Sequence, residues 1–312
     1  MSTFRQDDSF HLARKSQALQ LRAKFTECLR RFFIQQDFLE VETPLRVPSP
    51  APEEHIEAIP SGNWFLQTSP EICMKRLLAA GYPRIFQFCK CFRADERGNR
   101  HLPEFSMLEW YVLHCDYRQL MDQCEALLQF AFREMGHAGK IVWRNKAISL
   151  SLPWEKITVA DAFSRFAPVR LTDALTAGRF DEVLVEYIEP NLGNRHPVFL
   201  CDYPAQMASL AKVKKDDPAV AERFELYIGG MEIANGFSEL TDAREQRQRF
   251  EEALKAQSTG HRARYAMPEP FLAALESLPP CAGIALGMDR MIMILADTAT
   301  IDDVIAFPPE TL

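Results

Sequence analysis

The chain has 312 residues, 47% hydrophobic and 25% charged, with a formal net charge of −7 and a pI near 5.6. That balance suits a globular protein and argues against a non-specific nucleic-acid binder, which is usually basic. No stretch approaches the roughly 20 apolar residues of a membrane span, and the polar N-terminus MSTFRQDDSFHLARK is neither a signal nor a transit peptide.

Eight cysteines are scattered without zinc-type CxxC spacing, apart from a Cys89-Lys-Cys91 pair, and the histidines form no HxxxH pair. Reduced thiols in a cytoplasmic protein, with no histidine-bound transition metal, are therefore expected.

Along the chain, apolar residues at 18, 21, 25, 28, 29, 32 and 33 make a helical stripe over 13–36. Asp37 breaks it, and FLEVETP (38–44) follows as a short strand. Four prolines at 48, 50, 52 and 60 mark an irregular loop over 45–62. WFLQT (64–68) is strand-like, Ser69 and Pro70 open a helix as N-cap and first position, and Gly81 stops it. RIFQFCKCFRA (84–94) and EFSMLEWYVL (104–113) pair as a hairpin. Asp116 caps a helix to about 134. Residues 140–195 are weakly patterned and read as a helical insertion. Strands follow at 198–204, 223–240 (a hairpin turning at Gly229-Gly230) and 283–287, and helices at about 242–257, 269–278 and 288–296. Hairpin-linked strands with helices between them predict an antiparallel sheet in one α+β domain.

Three segments concentrate chemistry. The first hairpin carries Arg93, Asp95, Glu96, Arg97, Arg100, His101, Phe105, Glu109 and Tyr111. The second carries Glu225, Glu232, Asn235, Phe237 and Glu239. GIALGMDR ends in Arg290 on the first turn of a helix. Alternate strand residues share a face, so Glu109 points with Tyr111, and Asn235 with Phe237 and Glu239. Carboxylates over a cleft suit a cationic substrate, Glu225 with Glu232 suits Mg²⁺, and Arg93 with Arg290 suits a polyphosphate. Taken singly, a strand Glu or Arg is usually a solvated charge and Phe105 or Phe237 a core residue. The conjunction on apolar strands points to a nucleotide-using enzyme.

At these residues the chain resembles the class II aminoacyl-tRNA synthetases, specifically the lysyl branch. FLEVETP is similar to motif 1 (about 13–44), FRADERGNRHLPEFSMLEWY (92–111) to motif 2 (about 84–113), and GIALGMDRMIMI to motif 3 (about 283–296). TSPEICMKRL (68–77) and GMEIANGFSEL (230–240) resemble the lysine-pocket segments, and IDDVIAFP (301–308) the C-terminal signature.

The resemblance implies a six-stranded antiparallel sheet flanked by helices and a homodimer built on motif 1. It gives Arg93 the ATP α-phosphate and the amino-acid carboxylate, and His101 and Arg290 the outer phosphates. Phe105 stacks on adenine and Asp95 lies near its edge. Glu225 and Glu232 carry Mg²⁺, and Glu71, Glu109, Tyr111, Asn235, Phe237 and Glu239 line the lysine pocket.

Only 37 residues precede Phe38, too few for an anticodon-binding barrel beside the motif 1 helix. A single catalytic domain over 1–312 is thus expected, without stable tRNA binding. Length, MLEWY, EPNLG (189–193) and PAQMASLAK (204–212) resemble the truncated lysyl-synthetase paralogues that ligate lysine to translation elongation factor P. Ser69 and Ala285 fit that group, where they accompany acceptance of (R)-β-lysine. The resemblance implies activation of lysine or (R)-β-lysine by ATP and transfer to a lysine of elongation factor P. The alternatives are a stand-alone lysyl-adenylate enzyme with tRNA or a free acceptor, or a non-catalytic lysine sensor. Leu102 and Ala94 depart from the family pattern, which has Asn at both. Arg97 and Arg100 are the candidates for docking the protein acceptor.

Overall fold

The computed structural model describes residues 12–137, 139–257 and 265–312; the segment MSTFRQDDSFH lies outside them. Helix α1 (Ser16–Gln35) buries Ala18, Phe25, Cys28, Leu29, Phe32 and Phe33 along the expected stripe. Asp37, at φ 58°, ends it in the left-handed region, which Asp tolerates better than most residues.

The main sheet has eight strands. In chain order these are β1 (Leu39–Glu40), β2 (Arg84–Phe92), β3 (Glu104–Leu113), β4 (Glu155–Thr158), β5 (Val198–Pro204), β6 (Val220–Ile228), β7 (Met231–Ser238) and β8 (Cys281–Gly287). Their spatial order is β1-β2-β3-β8-β7-β6-β5-β4. The six from β2 to β5 are antiparallel throughout. The expected count of six is corrected by two short edge strands, β1 and β4, which pair in parallel with β2 and β5. Only Leu39 and Glu40 of FLEVETP join the ladder. The proline-rich loop contributes Arg46–Val47 and Pro60–Ser61, which flank Trp64–Leu66 in a separate three-stranded sheet.

Residues 140–195 correct the expectation of a purely helical insertion. Lys140–Trp143 and Lys146–Ser149 form a hairpin whose turn residues Arg144 and Asn145 both have positive φ, as a two-residue turn of the twist-matched kind requires. Ile141, Trp143 and Ile148 bury its inner face in the main core. Edge strand β4 follows, and only then the helical part.

Helix α2 (Glu71–Ala79) starts after Pro70, and Ser69 makes no capping bond; its side chain lines the cavity described below. Gly81, at φ 97°, follows the helix end as expected. Helix α3 (Tyr117–Glu134) has the capping box of Asp116 and Gln119. Beyond α4 (Val159–Phe166) come α5 (Ala243–Gln257), α6 (Glu269–Leu275) and α7 (Met288–Ala296).

One sheet face, with Phe86, Leu108, Trp110 and Ile284, packs against apolar residues of α1, α3 and α7. Each fully buried Phe, Leu or Ile there stabilises the fold by about 1.5–3 kcal/mol. The opposite face carries Ile85, Tyr111 and Phe237, flanked by α2, α5 and α6. There the helices leave a gap over the middle strands. No described helix is long and apolar enough to cross a membrane.

Candidate active site

The gap is a cavity of about 530 Å³. Its floor is two transverse rows of the sheet. One runs Glu225, Asn235, Ala285, Glu109, Gln87, and the next runs Arg223, Phe237, Gly283, Tyr111, Ile85. Side chains two apart on each strand therefore reach the same side, while Leu108 and Trp110 between them go to the core. Gly283 is required here: a Cβ would collide with the Tyr111 ring and crowd Glu239.

Glu232 needs a further device. Strict alternation puts it opposite in sense to Asn235, three residues on. A register shift between Leu226 and Tyr227 leaves Glu232 facing Tyr227 in the ladder, so an extra residue on β7 turns Glu232 to the cavity side.

The cationic end is built by the β2–β3 loop and the start of α7. Arg290 Nη1 donates to Glu232 Oε2 at 3.0 Å, and Nη2 lies 2.5 Å from His101 Nε2. Burial, and then the neighbouring Arg290 charge, hold His101 below its usual pKa; facing a guanidinium, which only donates, Nε2 is the acceptor. Arg93 lies with its guanidinium 5.0 Å from the Phe105 ring centroid and 3.5 Å from Glu96. Its Nε is shielded from solvent and has no hydrogen-bond partner among the described residues, which leaves a donor for an anion.

Asp289, buried beside Arg290, accepts from Arg22 at 2.5 Å and from the Ser106 amide at 2.7 Å. Those bonds tie α7 to α1 and β3 and fix where Arg290 starts.

The acidic end is more deeply buried. Tyr111 Oη donates to Glu109 Oε2 at 2.8 Å. Burial, and then the Glu71 charge, push Glu109 well above the usual carboxylate range. Lys75, 1% exposed, places its ammonium 2.5 Å from Glu71 Oε1 and pairs on its other side with Glu239. Burial outweighs that pairing at Glu239, whose pKa rises to about 8; at Lys75 the two carboxylates overcome burial and hold it charged.

Three carboxylates cluster at the β6–β7 hairpin. Glu225 accepts from Arg223 at 2.7 Å and Tyr227 Oη at 2.6 Å, and Tyr227 Oη lies 3.1 Å from Glu189. Burial, then Glu232 and Glu225, push Glu189 up to about 7. Among the described residues no group of three or more His, Cys, Asp or Glu side chains forms a metal cage. Mg²⁺ commonly needs only one or two carboxylates plus substrate phosphates, and the hard oxygens of Glu225 and Glu232 fit that chemistry.

Of the sequence-predicted residues, Ser69, Glu71, Arg93, His101, Phe105, Glu109, Tyr111, Glu232, Asn235, Phe237, Ala285 and Arg290 line this one cavity. Glu225 lies in the floor row behind Arg223. Glu239 lies beneath Gly283 with Lys75. Asp95 is the outlier, exposed in a left-handed turn and outside the lining. Leu102 lines the cavity but is 2% exposed and belongs to the main core. Arg97 is engaged with Asp302 and Glu310 at 2.8 Å each, so it straps the loop to the C-terminal segment.

Sequence reasoning missed Lys75, Arg223 and Asp289. The i, i+4 spacing of Glu71 and Lys75 and the i, i+2 spacing of Arg223 and Glu225 were the available signals. Glu53, pushed up to about 7 by burial and then by Glu71, also lines the cavity. Nothing in the proline-rich segment marked it.

The family model of class II tRNA synthetases (D, K and N) matches residues 8–311. The chain belongs to the class II tRNA synthetases. Within that ligase family it is 40% identical over 307 residues to the elongation factor P–(R)-β-lysine ligase of Pectobacterium atrosepticum, covering 93% of this chain and 94% of that one. With the same-named protein of Proteus mirabilis it shares 39% over 303 residues, or 92% and 93% of the two chains. Similarity to the lysine–tRNA ligase of Azoarcus sp. is 34% over 312 residues, which takes in 92% of this class II chain but 62% of that relative.

Proposed function

We propose that this chain activates lysine or (R)-β-lysine with ATP and transfers it to a lysine side chain of translation elongation factor P. The observation that carries this reading is one cavity with an arginine–histidine end and a buried carboxylate end. A lysine spans them: its ammonium groups need the acids, and its carboxylate needs Arg93, beside the α-phosphate. The span of 94% of the factor P ligase against 62% of the lysine–tRNA ligase favours a protein acceptor over tRNA.

In the first step a carboxylate oxygen of lysine attacks the α-phosphorus, the bond to the β-phosphate bridge breaks, and pyrophosphate leaves. Arg93 meets the charge that builds on the α-phosphate oxygens, while His101 and Arg290 hold the departing phosphates. Phe105 supplies an apolar face for adenine. Glu225 and Glu232 would hold Mg²⁺, which would neutralise phosphate charge. In the second step the neutral ε-amine of the acceptor attacks the adenylate carbonyl, an amide forms, AMP leaves and one proton is lost.

Glu109 and Tyr111 take one ammonium, Asn235 hydrogen-bonds the substrate, and Phe237 packs on its aliphatic stem. Glu71 and Glu239 act as a pair bridged by Lys75. The Ala285 methyl and the Ser69 hydroxyl shape the wall on which a shifted amine is accommodated. Exposed Ile34 and Leu39, at 59% and 50%, support a homodimer formed through α1 and β1, and a translation factor as acceptor implies a cytoplasmic enzyme.

The test is mass spectrometry of elongation factor P after incubation with the protein, Mg²⁺-ATP and each lysine isomer. Gain of one lysyl residue is expected. Lysine-dependent pyrophosphate exchange with labelling of tRNA instead would overturn the acceptor, and no exchange at all would overturn the activity.

A further inference from the structure

A second cavity of about 340 Å³ lies beside the first, between the tips of two hairpins. Trp143 Nε1 donates to the Gly229 carbonyl at 3.2 Å, and Arg100 Nη1 to the Gly230 carbonyl at 3.3 Å. Gly229 has no room for a Cβ because the Trp143 indole fills that space. The Arg144 amide is held by Asp297 at 2.6 Å. The frame is therefore fixed by four elements.

Into this cavity come Arg100, Arg144 and Lys146. Each lacks an ion-pair partner among the described residues, in a chain whose net charge is −7. Arg144 lies 5.3 Å from the Trp143 ring centroid, and one carboxylate, Glu189, is in the lining. Burial and then the charges of Arg144 and Arg290, opposed by Glu189, lower the pKa of Arg100; Arg100 is half-buried, while Arg144 and Lys146 are exposed. Arg100 also lines the first cavity, so one guanidinium forms a common wall.

We propose that this cavity is a second anion site, which takes a pyrophosphate or inorganic phosphate ion on Arg100, Arg144 and Lys146. Three guanidinium or ammonium donors around a space of this size match a small oxyanion, and the exposure of Arg144 and Lys146 leaves it open to solvent. Its role rests on the activity proposed above: pyrophosphate released from Arg290 and His101 passes across Arg100 into this cavity on its way out.

Calorimetry tests the site without turnover. The protein is saturated with lysine and α,β-methylene ATP, which cannot release pyrophosphate and fills the first cavity. Pyrophosphate is then titrated in one arm and inorganic phosphate in another. One further equivalent of pyrophosphate is expected, weakened at least tenfold in Arg144→Ser/Lys146→Ser, while α,β-methylene ATP binds both proteins equally and reports an intact fold. No further uptake, or equal uptake by the variant, overturns the site. Uptake of inorganic phosphate alone overturns the exit role. Failure of the proposed activity registers separately, as absent lysine-dependent ATP turnover.

Discussion

The two ends of the main cavity handle charge in opposite ways. At the arginine–histidine end, Arg93 and Arg290 lie on a loop and a helix start with side chains 23% and 21% exposed, and Arg93 keeps a donor unused. At the carboxylate end, Glu109, Glu239 and Lys75 are almost wholly buried, and the chain supplies its own cation. A polyphosphate brings charge that water can partly screen. An ammonium entering the floor must find carboxylates already desolvated, and Lys75 lowers the cost of keeping two of them there. The arginine–histidine end is thus poised by open donors, and the carboxylate end by internal compensation.

The largest expected effect comes from breaking that compensation. Lys75→Met leaves Glu71 and Glu239 unpaired in the interior and should cost about 3–5 kcal/mol of stability, read by urea or thermal unfolding. Adding Glu239→Gln should restore part of it, since one unpaired buried acid is then replaced by a neutral amide. A pair of single substitutions that simply add would contradict the shared-charge description.

At the other end, Arg93→Ala should leave the fold intact and lower lysine-dependent pyrophosphate exchange by about 10²–10³-fold, the usual cost of losing a donor aimed at developing oxyanion charge. A comparable loss in lysine binding without a fall in exchange rate at saturation would make Arg93 a ground-state contact only.

The acidic end should also carry a pH signature. Glu109 lies well above the usual carboxylate range and Glu239 at about 8, so at pH 7 the empty pocket holds protons that a bound ammonium expels. Lysine affinity therefore rises with pH while these groups are protonated in the free protein, by at most about tenfold per unit for each proton released. Calorimetry at pH 7 in buffers of different ionisation enthalpy reads that release, and Glu109→Gln should diminish it.

The smallest effect is expected at Ala285→Gly. Removing one methyl beside Glu109 and Asn235 should lower the (R)-β-lysine to lysine preference in exchange assays by about tenfold or less, within the range a single carbon is worth in a pocket. An unchanged ratio would remove Ala285 from the specificity reading.

Much of this was legible beforehand because short-range rules produce it. Alternation placed Glu109 with Tyr111 and Asn235 with Phe237, and Gly229-Gly230 announced a tight hairpin that the structure contains at positive φ for both residues. Contacts between distant residues were not legible. Leu102, which departs from the family pattern, both lines the cavity and packs into the main core. Arg97, a candidate for docking the acceptor, is exposed and also pairs with Asp302 and Glu310 of the C-terminal segment.

The sequence by itself determined the antiparallel centre of the sheet, the motif residues on its strands and the family to which the chain belongs. Those follow from periodicity, turn chemistry and residue identity, all local properties. The tertiary structure alone decided the parallel edge strands, the bulge that turns Glu232 inward, and the burial of Lys75 between Glu71 and Glu239. Each depends on groups far apart in sequence meeting in a low-dielectric space, where the partner rather than the residue type sets the charge.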